Sequence, residues 1–581
     1  MARVLGSVAY LRWTLQLLIT LHFGDNIMEK IWLEKSYPPG VEFEIDPDKY
    51  NSLADLFLKY TKLYADNTAF INMDVSITYQ QLAQQATDFA AYLQQDLRLV
   101  KGDKFAIMIP NTLQYPIALF GALIAGLTIV NVNPLYTARE LEHQLKDSGA
   151  KGILILENFA HVLQAVIDKT DIKHVITTGV GDRLGLIKGA LVNGAIKHVK
   201  KLIPAFELPN AVKFNDAMSK GSKLNFVAVP VVGSDLAFLQ YTGGTTGPSK
   251  GAMLTHRNMV ANLEQSNAVT KNIFEVGKEI IVTALPLYHI YALTSNCLAF
   301  LPFGGINLLI TNPRDMAGFV KELAKYRFTI ITGVNTLFNG LLHTPGFDKL
   351  DFSALKMGFG GGMSVQRPVA EHWEKVTKSR LLEGYGLTEC APLVTMSPYN
   401  QKSYNGSIGL PASSTDIRLI GADGEEVALG EPGEMWVKGP QVMKGYYNRQ
   451  KATDEVLIDG WLATGDIATM DENGFFKIVD RKKDMINVSG FNVFPNEIEE
   501  VLVMHEGILE AAAVGTSCDI TGERVKVYIV RKDPNLTDQD VFDHCNKMLT
   551  NYKRPKMIEF MNELPKSNVG KVLRKDLRNM A

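Results

Sequence analysis

Cysteine is scarce in this chain: four among 581 residues, Cys297, Cys390, Cys518 and Cys545, far apart and with no CxxC pair. The eleven histidines do not cluster with them. This excludes a disulfide frame and a cysteine–histidine zinc site, and reads as reduced, buried thiols in a cytosolic protein. Excess charge is also lacking. Sixty Lys and Arg against 62 Asp and Glu leave −2, so bulk charge gives no ground for a nucleic-acid partner. Long apolar runs are missing too. The most apolar stretch, 116–130, is broken by Gly121 and Gly126 and falls short of the roughly 20 residues a bilayer span needs. Stretch 13–23, with Arg3 and Arg12 before it, is shorter still, and no clear small-x-small cleavage pattern follows it. Met28 opens MEKIWLEKSYPPG, which reads as a natural start, so residues 1–27 are expected to be an upstream start choice or a dispensable extension, with a membrane-proximal anchor as the alternative.

What is present is a glycine- and threonine-rich loop within residues 241–258, YTGGTTGPSKGAMLTHRN. Gly243, Gly244 and Gly247 let backbone N–H groups turn toward an anion at little steric cost. Thr242, Thr245 and Thr246 add hydroxyl donors, and Lys250 adds a mobile cation. The composition suits a loop wrapped around a polyphosphate. It is not the common P-loop, because Gly247 and Lys250 are separated and Gly251 follows the lysine.

Around this loop the pattern alternates strand and helix. Ser52 and Thr78 stand at helix starts, the second opening an Ala/Gln-rich helix to about Gln95. Residues 105–110, 127–132, 152–156 and 174–178 read as buried strands, and a buried helix ends near Gly126. Such alternation predicts a layered α/β domain. In residues 183–203, Ile187, Leu191, Ala195, Val199 and Leu202 recur at helical spacing while Lys197, Lys200 and Lys201 share a face. A docked helix with a solvated charged face is the expectation; a basic helix lying on an anionic membrane is the alternative.

Four further stretches carry chemistry. Residues 285–293, LPLYHIYAL, hold His289 among aromatics. Residues 358–362, GFGGG, would let a flat ring approach the backbone. Residues 384–389, GYGLTE, offer the stacking face of Tyr385, the Thr388 hydroxyl and Glu389 as a hard oxygen ligand. Asp466, in WLATGD, is suited to accept from two hydroxyls.

The loop and these partner motifs, in this order, resemble the adenylate-forming superfamily, and the resemblance runs from about Met28 to the C-terminus. YTGGTTG, MLTHRN, LPLYHIYALT, ITGVNTLFN and DRKKDMINVSGFNVFPNEIE look like the bacterial long-chain fatty-acid–CoA ligases within it. One departure is Pro248 directly after Gly247, where the family more often places proline directly before the lysine.

The resemblance implies the family's α/β fold: a large layered N-terminal domain of mixed sheets and helices over 28–482, and a small mobile α+β lid over 483–581. It implies ATP-dependent joining of a long-chain fatty acid to coenzyme A through an acyl-AMP, with Mg2+ as cofactor and AMP and pyrophosphate released. A ligase that loads a carrier protein and a non-catalytic lipid-binding relative remain alternatives. It further implies ATP contacts from Thr242 to Gly247, Lys250, Gly360, Gly361, Gly384, Tyr385, Gly386, Asp466 and Arg481, and metal contacts from Glu389 and Thr242. Catalytic roles fall on Lys571, Thr388 and Glu389, the acyl and CoA site on His289, Val334, Ser489 and Gly490, and the hinge on Lys483. The expected location is cytoplasmic, with peripheral contact at the inner membrane.

Overall fold

The computed structural model describes residues 30–242, 248–489, 491–518, 521–567 and 570–580. The expectations for residues 1–27, for Gly243, Gly244, Thr245, Thr246 and Gly247, and for Gly490 lie outside the described residues.

Helices start where side chains can satisfy the first free backbone N–H groups. Ser52 accepts from Asp55 N at the head of Leu53–Leu63, and Thr78 with Gln81 forms a reciprocal cap on Tyr79–Ala91. Thr255 does the same with Asn258 ahead of His256–Thr270. The Ala/Gln-rich helix ends in a wider π turn, Tyr92–Asp96. Every residue of Gln114–Ile124 is buried, as an all-round apolar helix demands. Phe120 stacks on Phe57 at 4.1 Å, and at Gly121 the helix passes so close to its neighbour that a Cβ would stand 2.8 Å from Ala86 O.

These helices pack on two large sheets. The seven-stranded one runs, in spatial order, through Val212–Lys213, His174–Thr178, Gly152–Leu156, Lys104–Met108, Thr128–Asn131, Leu236–Thr242 and Lys250–Thr255. Its pairs are parallel until the last, an antiparallel hairpin closed by Thr242 opposite Lys250. The nine-stranded sheet has Ile330–Gly333, Met357–Gly361 and Arg380–Gly386 side by side in parallel. A five-stranded sheet follows and ends on Phe476–Arg481. After the turn at 482–485, a further five-stranded sheet is built from Ile486–Val488, Phe491–Val493, Ile508–Cys518, Gly522–Arg531 and Met557–Met561. The main core reaches from Trp32 to Phe476, and a separate one from Ile486 to Leu549. This is the mixed α/β architecture expected, with a large N-terminal part and a small C-terminal one.

Two expectations need correction. Cys297, Cys390 and Cys545 are buried, but Cys518 is half-exposed at a strand end. The stretch 183–203 does form a helix, Leu186–Gly194 continued by the π turn Ala195–Val199, but it docks by the opposite face. Gly189 lies against Gly181 so closely that a Cβ on either would meet the other's carbonyl oxygen at 2.4–2.5 Å. Asn193 accepts from Gly181 N at 2.7 Å and donates to Asp182 at 2.8 Å, while Val192 and Ile196 pack on the core. This backbone-to-backbone contact turns Ile187, Leu191 and Val199 to solvent.

Trp373 is fully buried, with Phe338 at 5.0 Å and Phe347 at 5.7 Å between ring centroids. Trp373→Ala is expected to cost about 3–5 kcal/mol. Trp373→Phe should cost clearly less, because Nε1 makes no hydrogen bond among the described residues. Urea unfolding followed by circular dichroism checks the order of the two.

Candidate active site

Thr242 and Lys250 stand opposite each other at the hairpin's end. The Lys250 ammonium lies 4.5 Å from the centroid of the Tyr446 ring, a cation–π contact. Tyr446 is carried there because 444–447 continues the sheet: Met253 N donates to Gly445 O and Tyr447 N to Gly251 O. The Tyr446 hydroxyl donates to Glu389 Oε1 at 2.6 Å. One phenol therefore holds both the hairpin lysine and the acidic residue of GYGLTE, and burial together with Glu389 pushes its own ionisation far up. Thr388 and Glu389 form a single 3-10 turn directly after Arg380–Gly386.

The strands Met357–Gly361 and Arg380–Gly386 pair with Gly360 beside Glu383 and Gly361 beside Gly384. Their glycines let neighbouring groups pack directly against the backbone. A Cβ on Gly361 would meet the Tyr291 ring at 3.0 Å, and one on Gly386 would meet Pro392 O at 2.1 Å. The Tyr385 hydroxyl donates to Asp466 Oδ2 at 2.5 Å. Asp466 in turn faces Arg481, Nε to Oδ1 3.4 Å, across the pairing of Trp461–Met470 with Phe476–Arg481.

Lys571 reaches this group from the far end of the chain. Gly570, at φ +81°, passes Thr336 and Val334 so closely that a Cβ would stand 2.7 Å from Thr336 Oγ1. Lys571 Cε then lies 3.6 Å from the place of a Cβ on Gly362. Burial, helped by Arg481 and Lys483 and opposed by Asp466 and Glu389, lowers the Lys571 ammonium to about 8. The sign follows from linkage: the folded chain releases this proton before the unfolded one, so the cost of the buried charge is full below about 8 and is relieved as pH rises toward the ordinary lysine value of 10.5. His289, capping Ile290–Ala292, is held down to about 3 by burial and then by Lys571, so it stays neutral.

The structure thus brings together Thr242, Lys250 and Glu389 around Tyr446, and Lys571 with Gly362, Asp466, Arg481 and His289. Val334 is buried beside Gly362 and Gly570. Ser489 sits apart, exposed at φ +54° on the hairpin Ile486–Val488/Phe491–Val493, with its N–H on Thr521 O. Lys483 lies exposed in the turn between the last two sheets.

Three features were missing from the sequence reading. Tyr446 is one. The second is a mainly apolar cavity with Phe274, Ile281, Phe300, Ile330, Met357 and Phe359 in its wall. Neither His289 nor Val334 lines it. Phe359 and Gly361 lie two apart in one strand and so face the same side. The Tyr291 hydroxyl donates to Phe359 O at 2.8 Å, which places its ring between cavity wall and glycines. The third is a buried charge cluster three residues after Lys571. Arg574 forks onto Glu499 at 2.8–2.9 Å and Asn496 at 2.6 Å, and faces Asp480 at 3.6 Å and Asp484 at 3.5 Å. Arg578 pairs with Asp484.

Known proteins place this arrangement. The family described as AMP-binding enzyme matches residues 57–447, and its C-terminal domain matches residues 497–571. The chain belongs to the AMP-binding enzymes. A long-chain-fatty-acid–CoA ligase of Yersinia pestis is 59% identical to this AMP-binding enzyme over 552 residues, covering 95% of this chain and 98% of its own. One from Escherichia coli O157:H7 is 58% identical, covering 95% and 99%, and one from Bacillus subtilis 37%, covering 94% and 98%. Among solved structures, ATP-bound MatB from Rhodopseudomonas palustris matches with a TM-score of 0.79 at 26% identity, over 91% of this chain and 99% of that one. The anthranilate CoA ligase AuaEII with anthranoyl-AMP matches at 0.80 and 21%, over 92% and 99%, a likeness of fold alone.

Removing Arg574 strands Asp480 and Glu499 in the interior. Arg574→Ala is expected to destabilise the C-terminal part by about 3–5 kcal/mol, and Arg574→Lys by less, measured by urea unfolding of the full chain.

Proposed function

We propose that this AMP-binding enzyme is a long-chain-fatty-acid–CoA ligase that consumes ATP, releases AMP and pyrophosphate, and works from the residues gathered around Lys571. The substrate class rests on curated ligases 52–59% identical over 95% of the chain. The observation that carries the mechanism is Lys571 brought beside Gly362, within electrostatic reach of Glu389, Asp466 and Arg481. A fatty carboxylate, ionised at neutral pH, attacks the α-phosphorus of ATP. The bond to the bridging oxygen breaks and pyrophosphate leaves with the electron pair. Little covalent work falls to the protein; placement and charge dominate. Thr242 and Lys250, with the loop between them, hold the β- and γ-phosphates. The backbone at Gly360, Gly361 and Gly384 and the ring of Tyr385 take adenine, and Asp466 and Arg481 take the ribose. Thr388 and Lys571 face the α-phosphoryl. No proton acceptor is needed, which suits a neutral His289 near Lys571. The apolar cavity takes the chain.

Glu389 and Thr242 offer the hard oxygens magnesium prefers. Bound there, the ion would neutralise phosphate charge. In the second half-reaction the lid, residues 483–581, turns about Lys483. Lys571 withdraws and Ser489 and Gly490 come to the site. The CoA thiolate attacks the acyl carbonyl and AMP leaves.

ATP- and fatty-acid-dependent AMP release, with and without CoA, tests this with octanoate, palmitate and oleate. Turnover with palmitate or oleate is expected to need CoA, and Lys571→Ala to lose adenylation a hundredfold or more, as when a charge-stabilising donor is removed. Acyl-AMP that accumulates while CoA is ignored would overturn the ligase reading.

The lysine acts as a cation, and the cation is lost as pH rises through about 8. kcat/KM for ATP is expected to fall about tenfold per pH unit above that point. Lys571→Arg should move this falling limb upward.

A further inference from the structure

Among the described residues, 21 large apolar side chains are exposed, and five of them fall within residues 186–202. Leu186 is 95% exposed, Ile187 79%, Leu191 69%, Val199 79% and Leu202 54%. At 100° per residue, Leu186, Ile187, Ala190 and Leu191 cover one side of the helix, opposite the side that Val192, Asn193 and Gly189 bury. Isolated exposed leucines are ordinary, but a contiguous aliphatic face is not.

The charge around this face is one-sided. Between Asp182 and Glu207 there is no acidic residue, while Arg183, Lys188, Lys197, Lys200 and Lys201 all lie there, in a chain whose net charge is −2. Lys188 turns inward to Met73 O and Asp74. Lys197, His198, Lys200 and Lys201 are exposed beside Val199 and Leu202. An apolar helix face edged by cations is the chemistry of a helix lying in a headgroup layer, with its aliphatic side chains among the acyl chains and its lysines on lipid phosphates. A second copy of the chain is a poorer occupant, because a twofold interface sets the same patch against itself and would bring the two lysine clusters together. No described helix is long and apolar enough to cross a membrane, so contact by this face is contact from one side.

We infer that Leu186–Val199, with Leu202, is a docking face for anionic lipid bilayers. The site lies outside the nucleotide-binding residues, so it can be tested independently of ligase chemistry. The probe is sedimentation of the full chain with phosphatidylglycerol/phosphatidylethanolamine vesicles, compared with pure phosphatidylcholine vesicles. Wild type is expected to go down with the anionic vesicles and to be released by salt. Ile187→Glu/Leu191→Glu should stay in the supernatant. Lys197→Gln/Lys200→Gln/Lys201→Gln should bind about a hundredfold more weakly, roughly fivefold for each lysine. Both variants should keep wild-type ligation of the short, soluble octanoate, or wild-type thermal midpoints if octanoate is not a substrate. The inference is overturned if wild type ignores anionic vesicles, if both variants bind like wild type, or if the substitutions split an oligomer and leave vesicle binding unchanged.

Discussion

The position of Lys571 depends on a buried guanidinium. Arg574 has four acceptor groups around it, and they come from both sides of the turn at 482–485. Asp480 closes the last strand of the third sheet, whereas Asp484, Asn496 and Glu499 follow the turn. Burial alone would push Asp480 and Glu499 toward their neutral forms, and the guanidinium works against that. A buried charge without partners costs several kcal/mol, so the C-terminal segment has few other ways to sit. Lys571, three residues upstream, inherits that rigidity. Asp480 is the acceptor that precedes the turn, and it also accepts from Asn496 N at 2.8 Å, so more than one contact ties the C-terminal segment to the sheet before it.

Much of the fold was legible because its signals are local. Ser52, Thr78 and Thr255 cap the helices they precede, through bonds three residues away. The apolar stretches 105–110, 152–156 and 174–178 became central parallel strands, since only burial on both faces suits them. What the sequence hid depends on distant partners. Tyr446 looks like any aromatic in a turning segment until 444–447 pairs with Lys250–Thr255, nearly two hundred residues earlier. The cavity wall draws on strands and helices from Phe274 to Phe359 with no shared spacing. The helix at 186–199 misled for a sharper reason. Its hydrophobic spacing is real, but two glycines, Gly181 and Gly189, permit an approach of backbones that no side-chain pattern announces.

The candidate site divides in the same way. The residue types in the hairpin loop suit a polyphosphate, and those in GYGLTE offer a ring, a hydroxyl and a hard oxygen, though each motif is weak until the others follow in order. Lys571 gives no such signal. Within LPKSNVGKVLRK it is one of four cations near a chain end, and its lowered affinity for a proton arises only when the C-terminal part buries it near Arg481, against the pull of Asp466 and Glu389. The chemistry was written in composition, and the geometry in contacts across the whole chain.

Tyr446 couples Lys250 to Glu389, the residues proposed above to meet phosphate and magnesium. A phosphate that approaches Lys250 must draw the ammonium off an aromatic face, and a cation that approaches Glu389 must compete with a hydroxyl already bound at 2.6 Å. Because one ring serves both, displacing it for either visitor frees it for the other. Lone anions and lone cations each meet the full resistance of the ring, while a ligand bearing both charges meets it once.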